Sequence, residues 1–486
     1  MAYNHGVRIL EKPTSLTAPI LSTAAFQVVI GVSPVNLAED PYKATNIVKF
    51  AYSFAEASAA VGYSNNLKDY TLNQSISATF KKFAVAPIAL INVLDPKKHK
   101  DAIPKKSYQV DSMQVTVNIE GILLDTLVVE SGETELQKDT DYITGFNDDG
   151  YAVITLLESG AGAEATTLSI SGEKIDPSKV TKNDIIGGYN VATGKESGLE
   201  LVRQVFPLFG MTPGIITAPG YSKDPVVASV MAVKCLKING LFTCECITDL
   251  DCTNDGATKY TDVKTVKEKS GFVSEHMSVV WPKVRIGDEV YYFSALYSAL
   301  IAYVDASNDD VPNLSASNKA IPITGLCLDD AADSEIVIDQ EQANMVNSFG
   351  VSTAINFKGF RSWGNNSAAY PGTSDPKDRW FCCRRFFSWW GNSFILSYFQ
   401  KVDDPANTGL IQSLCDAENI RGNSYVAQNK CAGARITYSE DENPITDILN
   451  GKIQFHQYLA PYTPAEDILN VLEFDPTMLE AALGGE

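Results

Sequence analysis

The chain opens on an alternation that places Val7 and Ile9 on one side of an extended segment. A stretch rich in Pro, Thr and Ser follows at 13–19, and Phe26, Val28, Ile30 and Val32 then alternate again. This predicts an extended arm running into a core strand. Ile47, Val48, Ala51, Phe54 and Ala55 recur at helical spacing and predict a helix over 44–61; Leu72, Ile76, Phe80 and Phe83 predict another over 72–83. The apolar run 88–94, just after Pro87, predicts a buried strand. From about 105 to 174 the texture changes to short alternating runs separated by Gly, Asn and Asp, with Asn147-Asp148-Asp149-Gly150 placed as a hairpin turn. Beyond it, 213–219 reads as a strand ending at Pro-Gly, 223–238 as an amphipathic helix and 242–249 as a second strand, which together make a parallel βαβ unit. The last domain opens near Asn347, is aromatic-rich across 380–390, and ends in a strand that places Ile453, Phe455 and Leu459 on one face. Pro461 and Pro464 close that strand, and 468–474 begins a second arm.

With 486 residues the chain is too long for one core, and a prior of about 150 residues per domain suggests three or four. Hydrophobic residues at 45% and charged residues at 20% place it among ordinary globular mixtures. The net charge of −20, from 59 acidic and 39 basic residues, argues against a nucleic-acid partner. The N-terminal sequence has no basic segment followed by an apolar run, and no stretch approaches the ~18 apolar residues that span a bilayer. The expectation is a product that is cytoplasmic when made and makes no membrane insertion. Nine scattered cysteines, an odd number, read as reduced thiols, mostly buried.

Candidate chemistry is sparse. The stretch from Gly188 to Lys195 has two glycines and a lysine like a phosphate-binding loop, but five residues separate the glycines where that loop has four, and Glu196 stands where Ser or Thr holds magnesium. It reads as a plain turn. Cys244, Cys246 and Cys252, and the pair Cys382-Cys383, are read as small buried hydrophobes whose thiols point apart, with no metal expected. His5, His99, His276 and His456 lie far apart and none belongs to a hydrolase motif. The pairs Asp309-Asp310, Asp329-Asp330 and Asp403-Asp404 are read as solvated charge or helix caps, and nothing favours a glycosidase pair. Arg384-Arg385 falls on a helical pattern in which Phe381, Arg385, Ser388 and Asn392 share one side and Phe386, Trp389, Trp390 and Ile395 another, as in an interface or core helix. No catalytic residue and no cofactor are assigned.

The order of several motifs resembles the contractile tail sheath proteins of myophages and R-type bacteriocins and, more distantly, of type VI secretion. The segments carrying it are DIIGGYNVATGKESGLELV (184–202), IITAPGYS (215–222), FGVSTAINFKGFRSWGNNS (349–367), RWFCCRRFFSWWGNSF (379–394) and NPITDILNGKIQFHQYLAPYTPAEDILNVLEF (443–474). Asn365-Asn366 departs from the Arg-Thr of many members. The resemblance covers most of the chain outside the 105–174 stretch, which its short alternating runs make an inserted all-β sandwich-like module; together they imply an α/β (α+β) multi-domain protein with extended N- and C-terminal strand arms. The expected divisions are an N-terminal arm (1–22), a first part of the core (23–103), an outward-facing β module (104–174), a central α/β domain (175–346), a domain facing the inner tube (347–465) and a C-terminal arm (466–486). It further implies a non-enzymatic subunit that polymerises in helical, hexameric rings around an inner tail tube protein, with baseplate and tail terminator proteins as further partners, and that ends as part of the particle. Val7 and Ile9 of one arm, Ile468, Val471 and Phe474 of the other, and Ile453 and Phe455 of a receiving strand are expected to pack between subunits. The competing readings are a cell-surface adhesin that uses the β module, and a doubly wound α/β enzyme.

Overall fold

The computed structural model describes residues 20–21 and 23–484. Its centre is an eight-stranded sheet in the order Phe360–Trp363, Val351–Asn356, Met277–Val280, Glu245–Asp249, Ile215–Thr217, Gln27–Gly31, Ile88–Asn92, Val48–Ala51. The six inner strands run parallel, and each edge strand pairs antiparallel with its neighbour. A parallel sheet is covered on both faces, so its strands read as continuous apolar runs. Gln27–Gly31, Ile88–Asn92 and Met277–Val280 are accordingly buried along their whole length. One apolar cluster fills one side of the sheet and two share the other, where the Phe293–Ala306 helix, buried at twelve of its fourteen positions, covers one of them.

The expected βαβ unit is present: Ile215–Thr217, the helix Pro225–Lys234 and Glu245–Asp249 follow in order with the strands parallel. The helix expected over 72–83 forms as Thr71–Ile76, continued by a wider turn over Ser77–Lys82. The single helix expected over 44–61 does not form. Its first half is the edge strand Val48–Ala51, and only Phe54–Val61 is helical. Ser53 starts that helix by accepting from the Glu56 N–H at 3.2 Å, while the Glu56 carboxylate accepts from the Tyr52 N–H at 2.8 Å. Apolar positions four apart and then three apart fit a strand followed by a capped helix as well as they fit one helix.

Residues 100–175 form two sheets, in the orders Tyr142–Phe146, Ala152–Leu156, Gln114–Val117 and Lys100–Gln109, Thr167–Ile175, Val128–Ser131, Thr134–Glu135. Val115, Val117, Val129, Ile154, Leu168 and Ile170 form a shared core. The 147–150 turn closes as read, with Asn147 Oδ1 accepting from the Tyr151 N–H at 2.8 Å and Gly150 at φ +81°. The strand Val351–Asn356, placed by sequence at the start of the last domain, is hydrogen-bonded into the central sheet through Val279 and Val351. The chain then turns into the buried helix Phe381–Tyr398, the long helix Thr408–Ala427 and a two-stranded ribbon of Cys431–Thr437 and His456–Pro461.

Candidate assembly interface

The ribbon's strands are antiparallel, pairing Ala434 with Leu459, Arg435 with Tyr458 and Ile436 with Gln457. A two-stranded sheet has two outer edges, and the structure treats them differently. Along Cys431–Thr437 the Thr408–Ala427 helix packs closely enough that a Cβ on Gly422 would lie 2.4 Å from the Ala434 carbonyl oxygen. From the same helix the Asn419 amide imitates a neighbouring strand: its Oδ1 accepts from the Ile436 N–H at 3.0 Å and its Nδ2 donates to the Ile436 carbonyl at 3.2 Å. That edge is occupied. Since both backbone groups of Ile436 point outward to Asn419, the pair Ile436/Gln457 is of the non-hydrogen-bonded kind, and the backbone groups of Gln457 and Leu459 point outward on the far side. Among the described residues no strand takes that edge.

Directly beyond the ribbon, residues 462–475 have no regular structure, and they lead to a short helix, Pro476–Leu483. Ile468, Val471 and Phe474 are 84%, 67% and 79% exposed, and Leu469 and Leu472 are equally bare. The segment is held to the body by the Glu466 carboxylate, which accepts from Arg379 at 2.8 Å.

At the other end, Ile20–Leu21 pairs parallel with Val85–Ala86. The Asp310 carboxylate accepts from the Thr23 N–H at 2.9 Å and the Ala24 N–H at 3.0 Å, and from the Thr23 hydroxyl. The loop carrying Asp310 also serves the ribbon: Lys430, at its root, donates to Asp309 at 3.0 Å and to Asn308 Oδ1 at 2.7 Å. Just before the loop, Asp305 is fully buried and accepts from Arg385 of the Phe381–Tyr398 helix. Burial works against the Arg385 charge, but the Asp305 carboxylate outweighs it and holds the guanidinium above its ordinary value. On the same helix face Ser388 donates to Glu245 at 2.5 Å, and Asn392 exchanges two hydrogen bonds with the Thr243 backbone. One short loop therefore ties together the root of the N-terminal segment, the buried helix and the ribbon.

The sequence-predicted residues fall as follows. Val7 and Ile9 lie outside the described residues. Ile468, Val471 and Phe474 are on the exposed segment. Ile453 and Phe455 are not in the strand, which begins at His456. The Asn443 side chain takes the Gln454 backbone, accepting its N–H at 2.7 Å and donating to its carbonyl at 2.9 Å, and so keeps Gln454 off the ladder. Asp310 and Asp329 are not solvated charges: Asp329 accepts from Tyr292 at 2.9 Å and Lys283 at 3.1 Å, and also pairs with Lys223. The expectation that Cys244 and Cys246 point apart fails, because residues two apart on a strand share a face; both join Cys235 in one apolar cluster. Burial pushes the Cys235 and Cys244 thiols up, so they stay protonated. Among the described residues no group of three or more His, Cys, Asp or Glu is arranged to hold a metal ion. The stretch from Gly188 to Lys195 is a hairpin, Gly188–Asn190 against Lys195–Ser197. Its glycine-rich flanks serve a backbone crossing, since a Cβ on Gly187 would lie 1.9 Å from the Ser197 carbonyl oxygen.

No protein-family model matches the chain. Among curated proteins it is 24% identical over 503 aligned positions to the tail sheath protein of Burkholderia phage BcepMu, covering 99% of both chains. Over nearly its whole length the chain is thus similar to phage tail sheath proteins. The major tail sheath protein of Serratia phage KSP20 is 26% identical over 69% of this chain and 83% of its own length, and the tail sheath protein of Escherichia phage P2 is 23% identical over 65% and 74%. Two solved structures share the fold. A chain of the anti-feeding prophage baseplate superposes with a TM-score of 0.60 at 13% identity, over 98% of this chain and 100% of that one. A chain of the PVC sheath complex of an extracellular contractile injection system, in its contracted state, gives 0.58 at 13%, over 98% and 99%. The adhesin reading finds no support among these relatives. Among the described residues no helix is long and apolar enough to cross a membrane.

Proposed function

We propose that the chain polymerises as stacked, hexameric helical rings around an inner tail tube protein, bounded by baseplate and terminator proteins, and contracts to drive that tube through a target envelope. In this reading 347–465 faces the tube, the two-sheet unit of 104–174 faces outward as an inserted module, and assembly takes place in the cytoplasm of the producing bacterium. The protein catalyses nothing. Contraction is a metastable lattice relaxing to a better-packed one, so it consumes no nucleotide.

The observation that carries the reading is the pairing of an open strand edge, Gln457–Leu459–Pro461, with an exposed apolar segment at 468–474 of the same chain. A segment that adds to an edge of another copy by main-chain hydrogen bonds gives a head-to-tail contact, and a head-to-tail contact that does not close builds a helical array. An arm of about 20 extended residues reaches ~65 Å, against ~60 Å for the width of a compact chain this long. The second arm, 1–22, is assigned the same role, with its root fixed on Asp310.

The test is removal of both arms. A chain spanning 23–465 should stay folded and monomeric and form no cylinders by negative-stain electron microscopy. Normal sheaths from that chain would contradict strand exchange.

A further inference from the structure

Between the buried helix and the ribbon lies a groove of about 680 Å³, walled by Phe387, Trp390, Phe394, Ile453, Phe455 and Leu459. Its polar rim carries Glu442, Asp447 and Lys452. The size suits several bulky side chains. Ile453 and Phe455, which the Asn443 clamp keeps out of the strand, form one of its walls.

The helix Pro476–Leu483 supplies an apolar ridge that none of the described residues covers. Met478 and Ala482, and Leu479 and Leu483, are each four apart, so all four share one face. Met478, Leu479 and Leu483 are 73%, 50% and 79% exposed. The start of the helix is encoded locally: Asp475 accepts from the Thr477 N–H at 2.9 Å, and Pro476 stands at the first helical position. Eight residues are too few for a helix to hold by itself in water, so its sequence is written for a packed setting.

Resting on the strand exchange proposed above, we propose that this groove receives the Pro476–Leu483 helix of a second copy. The geometry supports a second copy over the same chain. Tyr462 and Glu466 are held at the N-terminal end of the buried helix, at Cys383 and Arg379. The groove wall from Phe387 to Phe394 lies ~6–16 Å further along that helix at ~1.5 Å per residue. In its own chain the segment does not fill the groove: Ile468, Met478, Leu479 and Leu483 are exposed, and no described residue beyond Leu459 lines the groove. The open ribbon edge, by contrast, leads to it. A strand added antiparallel to His456–Pro461 ends beside His456, where Ile453 and Phe455 form the groove mouth. With Phe474 at that end, the helix starts two residues on, within ~7 Å.

Cross-linking in assembled particles tests this. Gly391 is in the groove wall, and a Cβ there meets nothing within 4 Å, so a cysteine fits. In a Cys415→Ser background, which replaces the one cysteine that is not buried, chains carrying G391C and chains carrying L479C are mixed before assembly and then oxidised. The expected result is a disulfide-linked dimer, absent from either variant alone and lost when Phe394→Glu is added to the G391C chain. Cylinders that form without the cross-link would overturn the groove assignment and leave strand exchange standing. A cross-link within one chain carrying both cysteines, with none in the mixture, would overturn the second copy as occupant. Absence of cylinders with the unsubstituted protein would overturn the sheath reading and this assignment with it.

Discussion

Asp310 accepts two backbone N–H groups and a hydroxyl from residues 23–24, almost three hundred positions away in sequence. Asp310→Ala should leave the central sheet intact while the Thr23 and Ala24 amides exchange with solvent at least ~10-fold faster, the cost of losing hydrogen bonds to a charged acceptor; unchanged exchange would remove Asp310 as the anchor of the arm. The Asp305–Arg385 pair is wholly buried, so Asp305→Leu alone should loosen the Phe381–Tyr398 helix by ~3–5 kcal/mol in hydrogen exchange, and adding Arg385→Met should restore most of it. Equal protection in the single and double variants would contradict a paired charge. Asp329 gives a pH signature. Burial pushes its carboxyl up, but hydrogen bonds from Lys223 and the charge of Lys283 outweigh this and hold it below its ordinary value. A group depressed in the folded state stabilises fully above its unfolded value of ~3.9 and loses that contribution as pH falls through the lower folded value. Asp329→Asn should therefore flatten the acid end of the stability profile below about pH 4, as followed by intrinsic fluorescence. None of these partners is legible in sequence: an aspartate in a polar loop looks the same whether it meets water or a backbone from far along the chain. Arg385, Ser388 and Asn392 were placed correctly on one helix face, but that face is buried, because Asp305, Glu245 and Thr243 supply the polar partners.

At the scale of elements, the two ribbon edges differ because a single side chain, Asn419, occupies one of them. The Gln457 N–H points outward, so Gln457→Pro removes no bond of the ribbon itself, and proline is tolerated on an edge strand. That variant should keep its far-ultraviolet circular dichroism and the protection of Cys431–Thr437 yet form no cylinders; normal assembly would mean that this edge is not the receiver. Elements with strong periodicity were legible: the strand after Pro87, the βαβ unit, the Asn147–Gly150 hairpin and the helix through Phe386 all form. The misreadings have local causes. Residues 44–61 carry a period that a strand and a capped helix satisfy together, and 453–455 would continue the strand but for the backbone clamp of Asn443.

For the whole molecule, the likeness to tail sheath proteins was legible from motifs whose roles are structural. The glycines at 187 and 198 let two backbone segments cross, and Lys267, by donating to the carbonyls of Phe349, Ala368 and Tyr370, ties the segment that follows Trp363-Gly364 to Phe349, just ahead of Val351–Asn356. The described residues of a single chain show a strand edge that none of them fills, an apolar groove beside it and an apolar tail that none of them covers. In the proposed assembly these are complementary surfaces of one polymer, and an exchange of tail for edge would let bodies rotate while the contacts persist. The most direct test is negative-stain electron microscopy of the purified full chain, alone and with the tube protein proposed as its partner, without nucleotide. Hollow helical cylinders are the predicted result; uniform single particles under both conditions would contradict the account.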